Sequence, residues 1–204
     1  MTNQLNSIQE LLGQTDIYLV DQIMKGRYVP TDKILEAGCG GGRNMDWFVK
    51  NNFLIYGIDQ SEAAILNLRG KYPDLNDERL QVARVEKLPF PEAYFDHIIS
   101  SAVLHFAKSE THFKEMLGEM VRVLKPGGSL FIRLASDIGI EHKVILLGDG
   151  NYQIPDGSMR FLLTRQLVRE LVQTFHLAYL EPLKTVNVED VRCMSTLVFR
   201  REPF

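Results

Sequence analysis

The chain has 204 residues, 45% hydrophobic and 24% charged, which excludes a disordered chain and fits one domain. Its 23 basic and 26 acidic side chains leave a formal charge of −3, which argues against bulk binding to nucleic acid or an anionic membrane. Two cysteines, Cys39 and Cys193, are too few for a disulfide framework or a cysteine zinc site.

Met1 to Glu10 lacks the basic and apolar regions of a secretory leader, and no run approaches the ~18 apolar residues of a membrane span. The expectation is a cytoplasmic protein, monomer or homodimer. Ser7-x-x-Glu10 fits a capping box and predicts a short helix. A second helix is expected from Asp16, with Ile17, Val20, Ile23 and Met24 on one face and Gly26 as its stop. Residues 1–30 thus read as a helical cap on a domain spanning 31–204.

Lys33 to Ala37 reads as a strand, and Arg43 to Asn51 as a helix after a glycine-rich turn. Phe53 to Ile58 is a buried strand, and Ser61 caps a helix to Arg69. Leu80–Val85 and Phe95–Ala102 are further strands, separated by a loop that contains Pro89 and Pro91. Ser109 caps a helix to Leu124, Lys125–Gly128 reads as a turn, and Ser129–Ala135 as the fifth strand. Strands and helices alternating at this spacing imply a parallel sheet covered on both faces.

The rhythm then breaks. Residues 136–160 read as a long irregular segment with the character of a lid. Thr164 caps a helix to Phe175. Leu177–Val188 and Val191–Arg201 form a hairpin around Glu189-Asp190, so the last strand runs antiparallel.

The most informative motif is Glu36-Ala-Gly38-Cys39-Gly40-Gly-Gly42. Glycines at the mouth of a strand let the backbone turn sharply and approach a ligand. The dinucleotide fingerprint G-x-G-x-x-G fails because its sixth position is Arg43, which makes a nicotinamide-dependent dehydrogenase the weakest reading. Four further motifs follow in order: Gly57-Ile-Asp59-Gln-Ser61, Leu88-Pro-Phe-Pro91, Phe95-Asp96 and Arg122-Val-Leu-Lys-Pro-Gly-Gly128.

With these motifs, Ile34 to Ile132 resembles the class I S-adenosylmethionine-dependent methyltransferases. The resemblance implies a Rossmann-like α/β three-layer sandwich. Its seven-stranded sheet would be mostly parallel with an antiparallel last strand, as the hairpin suggests. It implies S-adenosylmethionine as cofactor and S-adenosylhomocysteine as product. Gly38, Cys39 and Gly40 fall in the cofactor loop. Asp59, 21 residues past Gly38, falls where a carboxylate accepts from both ribose hydroxyls. Glu36 matches the acid near the cofactor's amino end, Gln60 falls beside the adenine, and Leu88 against its face. The family often places an acid where this chain has Arg84, and a guanidinium cannot accept the adenine amino bond. Val85 or Glu86 is left to serve. Ser100 falls where a backbone carbonyl meets the methionyl group, and small size for close packing explains it as well. Of Lys25, Arg27 and Arg43, Arg27 is the choice for the cofactor carboxylate, against a solvated helix end.

The acceptor belongs beyond the carboxyl ends of the strands. Tyr18, His105, Asp137, Tyr152, Arg160, Asn187 and Arg192 are the candidates there. His105 is either a general base or a packing residue. Tyr18 is a substrate contact or a core residue. Arg160 and Arg192 either hold an anionic acceptor bidentately or sit on the surface. Tyr152 is a lid aromatic or an anchor of the lid. No histidine pair has metal-ligand spacing, so no metal is expected. The function expected is methyl transfer to a small-molecule acceptor, with no nucleic-acid or membrane partner. The alternatives are a cofactor-binding module without transfer and an RNA or protein methyltransferase.

Overall fold

A computed structural model describes residues 8–203. Ser7 and its capping box lie outside the described residues. Helix α1 is described over residues 8–12, followed by α2 (Ile17–Met24), β1 (Lys33–Ala37), α3 (Asp46–Lys50), β2 (Leu54–Asp59), α4 (Glu62–Lys71) and β3 (Leu80–Val82). Next come β4 (Phe95–Ser101), α5 (Glu110–Val123), β5 (Leu124–Ser136), β6 (Ile145–Gly148), β7 (Asn151–Gln153) and β8 (Met159–Phe161). The chain ends with α6 (Arg165–Thr174), β9 (Leu177–Tyr179), β10 (Lys184–Val188) and β11 (Arg192–Arg201).

The main sheet has the order β3-β2-β1-β4-β5-β11-β10. The first five of these strands pair in parallel, whereas β11 pairs antiparallel to both β5 and β10. Strand β9 adds an eighth member against the end of β11. Alternation along each central strand builds two cores. Leu35, Ile98, Leu130, Ile132, Leu197 and Phe199 face α5 and α6, where Phe113, Leu117, Met120, Leu167 and Leu171 cover them. Ile34, Ile55, Ile99, Phe131 and Val198 face the other layer, which supplies Leu19, Phe48, Ile65 and Leu68. These strands are buried on both faces, so they are nearly continuous apolar runs.

The expected caps form: Ser61 Oγ accepts from Ala64 N at 3.2 Å, Ser109 Oγ from His112 N at 3.1 Å, and Thr164 Oγ1 from Leu167 N at 3.0 Å. Several boundaries differ from expectation. Helix α2 buries Leu19, Val20 and Gln22, while Ile17 and Met24 stay exposed, because contacts of Asp16 set the helix's rotation. The segment after the glycines enters α3 only at Asp46, because Asn44 is held by tertiary hydrogen bonds on both its side-chain atoms. Strand β3 stops at Val82, where Ala83 N donates to Asp59 O at 3.0 Å and the chain folds into a turn at Arg84–Lys87.

Lys125–Gly128 is an irregular stretch inside β5 rather than a turn before it, with a register shift against Phe95–His97 and Gly127 at φ +81°. The segment 136–160 is not irregular throughout: after turns over 137–144, β6, β7 and β8 pair as a three-stranded antiparallel sheet that ends at Phe161. The run 177–188 is split at Leu180–Leu183, around Pro182, into β9 and β10. Glu189 and Asp190, at φ +49° and +57°, make the hairpin turn of the type that suits twisted strands.

The topology reverses between β1 and β4, since the chain leaves β1 toward β2 and β3 and returns on the other side as β4. The crevice of an open α/β sheet opens at the carboxyl ends of such a pair.

Candidate functional site

At that switch point β1 runs into the glycine loop. Gly38 N and Cys39 N both donate to Ile58 O, at 2.9 and 2.8 Å, which sews the loop to β2. A Cβ on Gly38 would sit 2.5 Å from Val103 Cγ2, and the residue has φ +83°. Only glycine lets the loop meet the end of β4 this closely. Asp59 closes β2. Its Oδ2 accepts from Gly40 N and its Oδ1 from Ser61 N, both at 2.9 Å. A carboxylate has about four acceptor positions, so two remain for a ligand.

A cavity of about 340 Å³ opens here, and Gly38, Gly40, Asp59, Gln60, Val85 and Glu86 line it. Val103, Phe106, Lys108, His112 and Met116 complete the wall. Arg84 is also on it, with Nε 2.7 Å from Glu86 Oε1. Glu86 is therefore the carboxylate on this side of the cavity, oriented by Arg84 and by His112 Nε2 at 3.5 Å.

Glu36 sits behind the loop and is 2% exposed. Its Oε1 accepts from Asn44 Nδ2 at 2.8 Å, while its Oε2 is buried with no protein partner. Burial pushes its carboxyl up to about 8, with Asn44 and Arg43 opposing the shift. Asn44 Oδ1 accepts from Asp16 N at 2.9 Å. Asp16 Oδ2 in turn lies 3.2 Å from Arg133 Nη1, 3.2 Å from Ser101 Oγ and 3.6 Å from Arg43. One chain of polar contacts thus links the cap of α2 to the glycine loop and to the ends of β4 and β5.

A second cavity, of about 280 Å³, lies on the other side of Ala102, which lines both. Ala102 holds φ +62° and its N–H donates to Arg133 O at 2.8 Å. A non-glycine residue in this conformation is strained, as residues at ligand sites often are. His105, Arg133, Arg160, Arg192 and Cys193 line the second cavity above an apolar floor of Ala135, Ile154, Val186 and Met194. His105 Nδ1 accepts from Ala135 N at 3.3 Å, so the neutral ring carries its proton on Nε2. Burial, reinforced by Arg160 and Arg133, lowers its pKa to about 4.

Residues 35–132 match a family model described as a methyltransferase domain. That match to a methyltransferase domain takes in the glycine loop, Asp59 and His105 and covers just under half of the chain. It is 35% identical over 99 residues to the tRNA (carboxymethyluridine(34)-5-O)-methyltransferase of Arabidopsis thaliana, covering 48% of this chain and 23% of that one. It is 30% identical over 118 residues to the 27-O-demethylrifamycin SV methyltransferase of Amycolatopsis mediterranei, covering 54% of this chain and 42% of that one. The chain therefore spans less than half the length of either relative. Its fold is shared with 1,6-didemethyltoxoflavin-N1-methyltransferase of Burkholderia thailandensis, solved with S-adenosylhomocysteine. The TM-score is 0.66 at 18% identity, over 89% of this chain and 75% of that one.

The remaining candidates fall into distinct places. Cys39 is packed under the loop beside Met45, and burial holds its thiol well above the usual range, so it is no nucleophile. Ser100 is buried in β4. Leu88 is a core residue whose N–H donates to Glu119 at 2.8 Å, and it does not line the first cavity. Arg27 is a correction. It pairs with Glu181 at 3.1 Å and Gln22 at 2.6 Å, beside Tyr28, which packs on His97 near the amino end of β4. Arg43 is the guanidinium at the loop, 3.2 Å from Ser101 Oγ.

Tyr18 lies under the Arg133 guanidinium at 5.1 Å and packs on the core. Asp137 and Tyr152 do not join His105. They line a third, acidic cavity of about 550 Å³ with Glu110, Asp149 and Glu170. Asn187 is spent on the hairpin turn, accepting from Asp190 N at 2.8 Å. Sequence reasoning missed Phe106, Lys108, His112 and Met116, and Arg133, which is central to the second cavity. Phe106 follows the singled-out His105 directly and Lys108 lies three residues on, and that closeness is the one signal available. Among the described residues no group of histidine, cysteine or acidic side chains is placed to hold a metal. None of the helices there is long and apolar enough to cross a membrane.

Proposed function

We propose that the chain transfers a methyl group from S-adenosylmethionine, held in the first cavity, to a small molecule held in the second. The observation that carries this reading is the pair of cavities meeting at Ala102, one on the glycine loop and Asp59, the other lined by His105 and three arginines. The residues fit the cofactor. The buried, unpartnered Glu36 Oε2 matches an ammonium group, and the spare acceptor positions of Asp59 match vicinal hydroxyls. The carboxylate of Glu86 offers an acceptor for the adenine amino group in place of the acid that Arg84 displaces.

When bound, S-adenosylmethionine supplies a sulfonium methyl that is open to in-line displacement, so the protein's work is position and electrostatics. Asp59 and Glu36 orient the two ends of the cofactor. Ala102, fixed by Arg133 O, holds the passage between the cavities. His105 directs Nε2–H outward, so it orients the acceptor as a hydrogen-bond donor and does not take its proton. Arg160 and the β6-β7-β8 sheet that carries it close the second cavity against water. The relative named for a rifamycin substrate supports a small-molecule acceptor, and the cavity of about 280 Å³ is small enough to suit one.

Isothermal titration with S-adenosylmethionine and S-adenosylhomocysteine tests the reading. Saturable binding of both is expected, with Asp59→Ala at least about tenfold weaker through loss of charge-assisted hydrogen bonds. Silence toward both ligands, or unchanged affinity in Asp59→Ala, would reject it. A radiolabelled methyl screen over small-molecule and RNA acceptors then separates transfer from binding alone, and either acceptor class from the other.

A further inference from the structure

The second cavity gathers more positive charge than the one carboxylate on its wall balances. Arg133, Arg160 and Arg192 reach it from three separate elements, β5, β8 and the start of β11. Arg133 is balanced by Asp16 at 3.2 Å, although its Nε stays buried without a partner. Arg160 spends one donor on Met159 O at 2.7 Å and lies over the Phe106 ring at 5.3 Å, and it closes no ion pair among the described residues, Asp156 being a longer-range partner. Arg192 has no ion pair among the described residues. The one carboxylate lining the cavity, Asp156, is held through Oδ1 by Ser158 N at 2.8 Å and Ser158 Oγ at 2.7 Å, and it offsets part of the charge of Arg160 and Arg192 without closing an ion pair to either. His105 adds a neutral N–H donor to the same wall.

Gathering guanidinium groups in a partly enclosed cavity costs electrostatic energy that an anion recovers. The planar fork of arginine matches the paired oxygens of a carboxylate or phosphate. Beside these donors the floor of Ala135, Ile154, Val186 and Met194 is apolar. That combination suits a small molecule with a compact apolar body and an oxyanion at one end. We propose that the methyl acceptor is a small oxyanion, a carboxylate or a phosphate, held by Arg160 and Arg192. This deepens the proposed function and rests on it for the word acceptor, while the anion site stands on the cavity's own geometry.

Benzoate, phenyl phosphate and neutral benzamide are the probes, titrated calorimetrically into protein saturated with S-adenosylhomocysteine. At least one anion should bind ten or more times tighter than benzamide, and which one is tighter distinguishes carboxylate from phosphate. In the double variant Arg160→Gln, Arg192→Gln that preference should vanish, while S-adenosylhomocysteine affinity stays unchanged and reports an intact fold. If the double variant does not fold, Arg192→Gln alone, at an exposed strand end, should reduce anion affinity at least threefold. Equal binding of benzamide and the anions, or a preference that survives the substitutions, overturns the proposal and leaves the methyltransferase reading standing. If wild-type protein ignores S-adenosylhomocysteine, the methyltransferase reading falls, and the same titrations on free protein decide the anion site by themselves.

Discussion

Glu36 and His105 show how burial, as the largest of several influences, sets the behaviour of a side chain. Glu36 is raised to about 8 in the folded chain from an ordinary 4.5, so the native state holds its proton longer than the unfolded state does. Its stabilising contribution is full below pH 4.5 and is lost as pH rises through 8. His105 is lowered from 6.5 to about 4, so its contribution runs the other way and is lost as pH falls from 6.5 to 4. Below pH 6.5 the two slopes oppose each other. Between pH 6.5 and 8 the histidine is neutral in both states, and Glu36 acts without it. Stability of the free protein should fall across that window by up to about 1.4 kcal/mol per pH unit. Thermal unfolding at a series of pH values should show this decline in wild type and a flatter profile in Glu36→Gln. A decline of equal slope in the variant would remove Glu36 as its cause. At His105, Nδ1 is engaged by Ala135 N, so substitution removes a donor and not a base. His105→Ala should lower turnover with an acceptor more than S-adenosylhomocysteine affinity, and the pH–rate profile should gain or lose no step near neutrality.

At the scale of elements, the glycine loop and the helices respond oppositely to the same change. Gly38→Ala forces a Cβ to 2.5 Å from Val103 Cγ2 at φ +83°. It should cost about 1–3 kcal/mol in urea unfolding. Gly70 lies in α4, and a Cβ there meets nothing within 4 Å. Gly70→Ala should add about 0.4–1 kcal/mol through reduced freedom of the unfolded chain. The cap of α2 is the other sensitive element. Asp16 accepts from Tyr18 N at 3.0 Å, and it also faces Arg133, Arg43 and Ser101. Asp16→Ala should therefore destabilise by more than the ~1 kcal/mol of an ordinary cap, because it leaves Arg133 uncompensated. Asp16→Ala together with Arg133→Met should recover part of that loss.

The whole molecule joins two half-sites, and ligand linkage reads out their junction. At a hundred times its dissociation constant, S-adenosylhomocysteine should stabilise the fold by about 2.7 kcal/mol. For a chain of this size that is a rise in Tm of roughly 5–10 °C by scanning fluorimetry. Asp59→Ala at the same ligand concentration should show a clearly smaller rise.

Local chemistry decided much of this architecture before any tertiary contact formed. Apolar runs such as Ile34-Leu35, Ile98-Ile99 and Leu130–Ile132, short and bounded by turn residues, read as strands buried on two faces. The caps at Ser61, Ser109 and Thr164 satisfy free N–H groups within their own turn. The glycine loop and Asp59 follow from backbone geometry at one strand end and the next, so their meeting was also legible. What local patterns do not carry is which distant segments converge. Arg27 reads as a basic residue near the loop, yet Glu181, 154 residues away along the chain, holds it elsewhere. Asp137 and Tyr152 read as acceptor-site candidates with Arg160, yet they line a different cavity, although Tyr152 stands opposite Arg160 across β7 and β8. The strands in 136–160 were illegible because Ile145, Leu146 and Leu147 are exposed, with no hydrophobic alternation to mark them. Motif and cap belong to a few consecutive residues and are determined by sequence. The arginine-lined wall of the second cavity joins β5, β8 and β11, and only the tertiary structure could bring those three together.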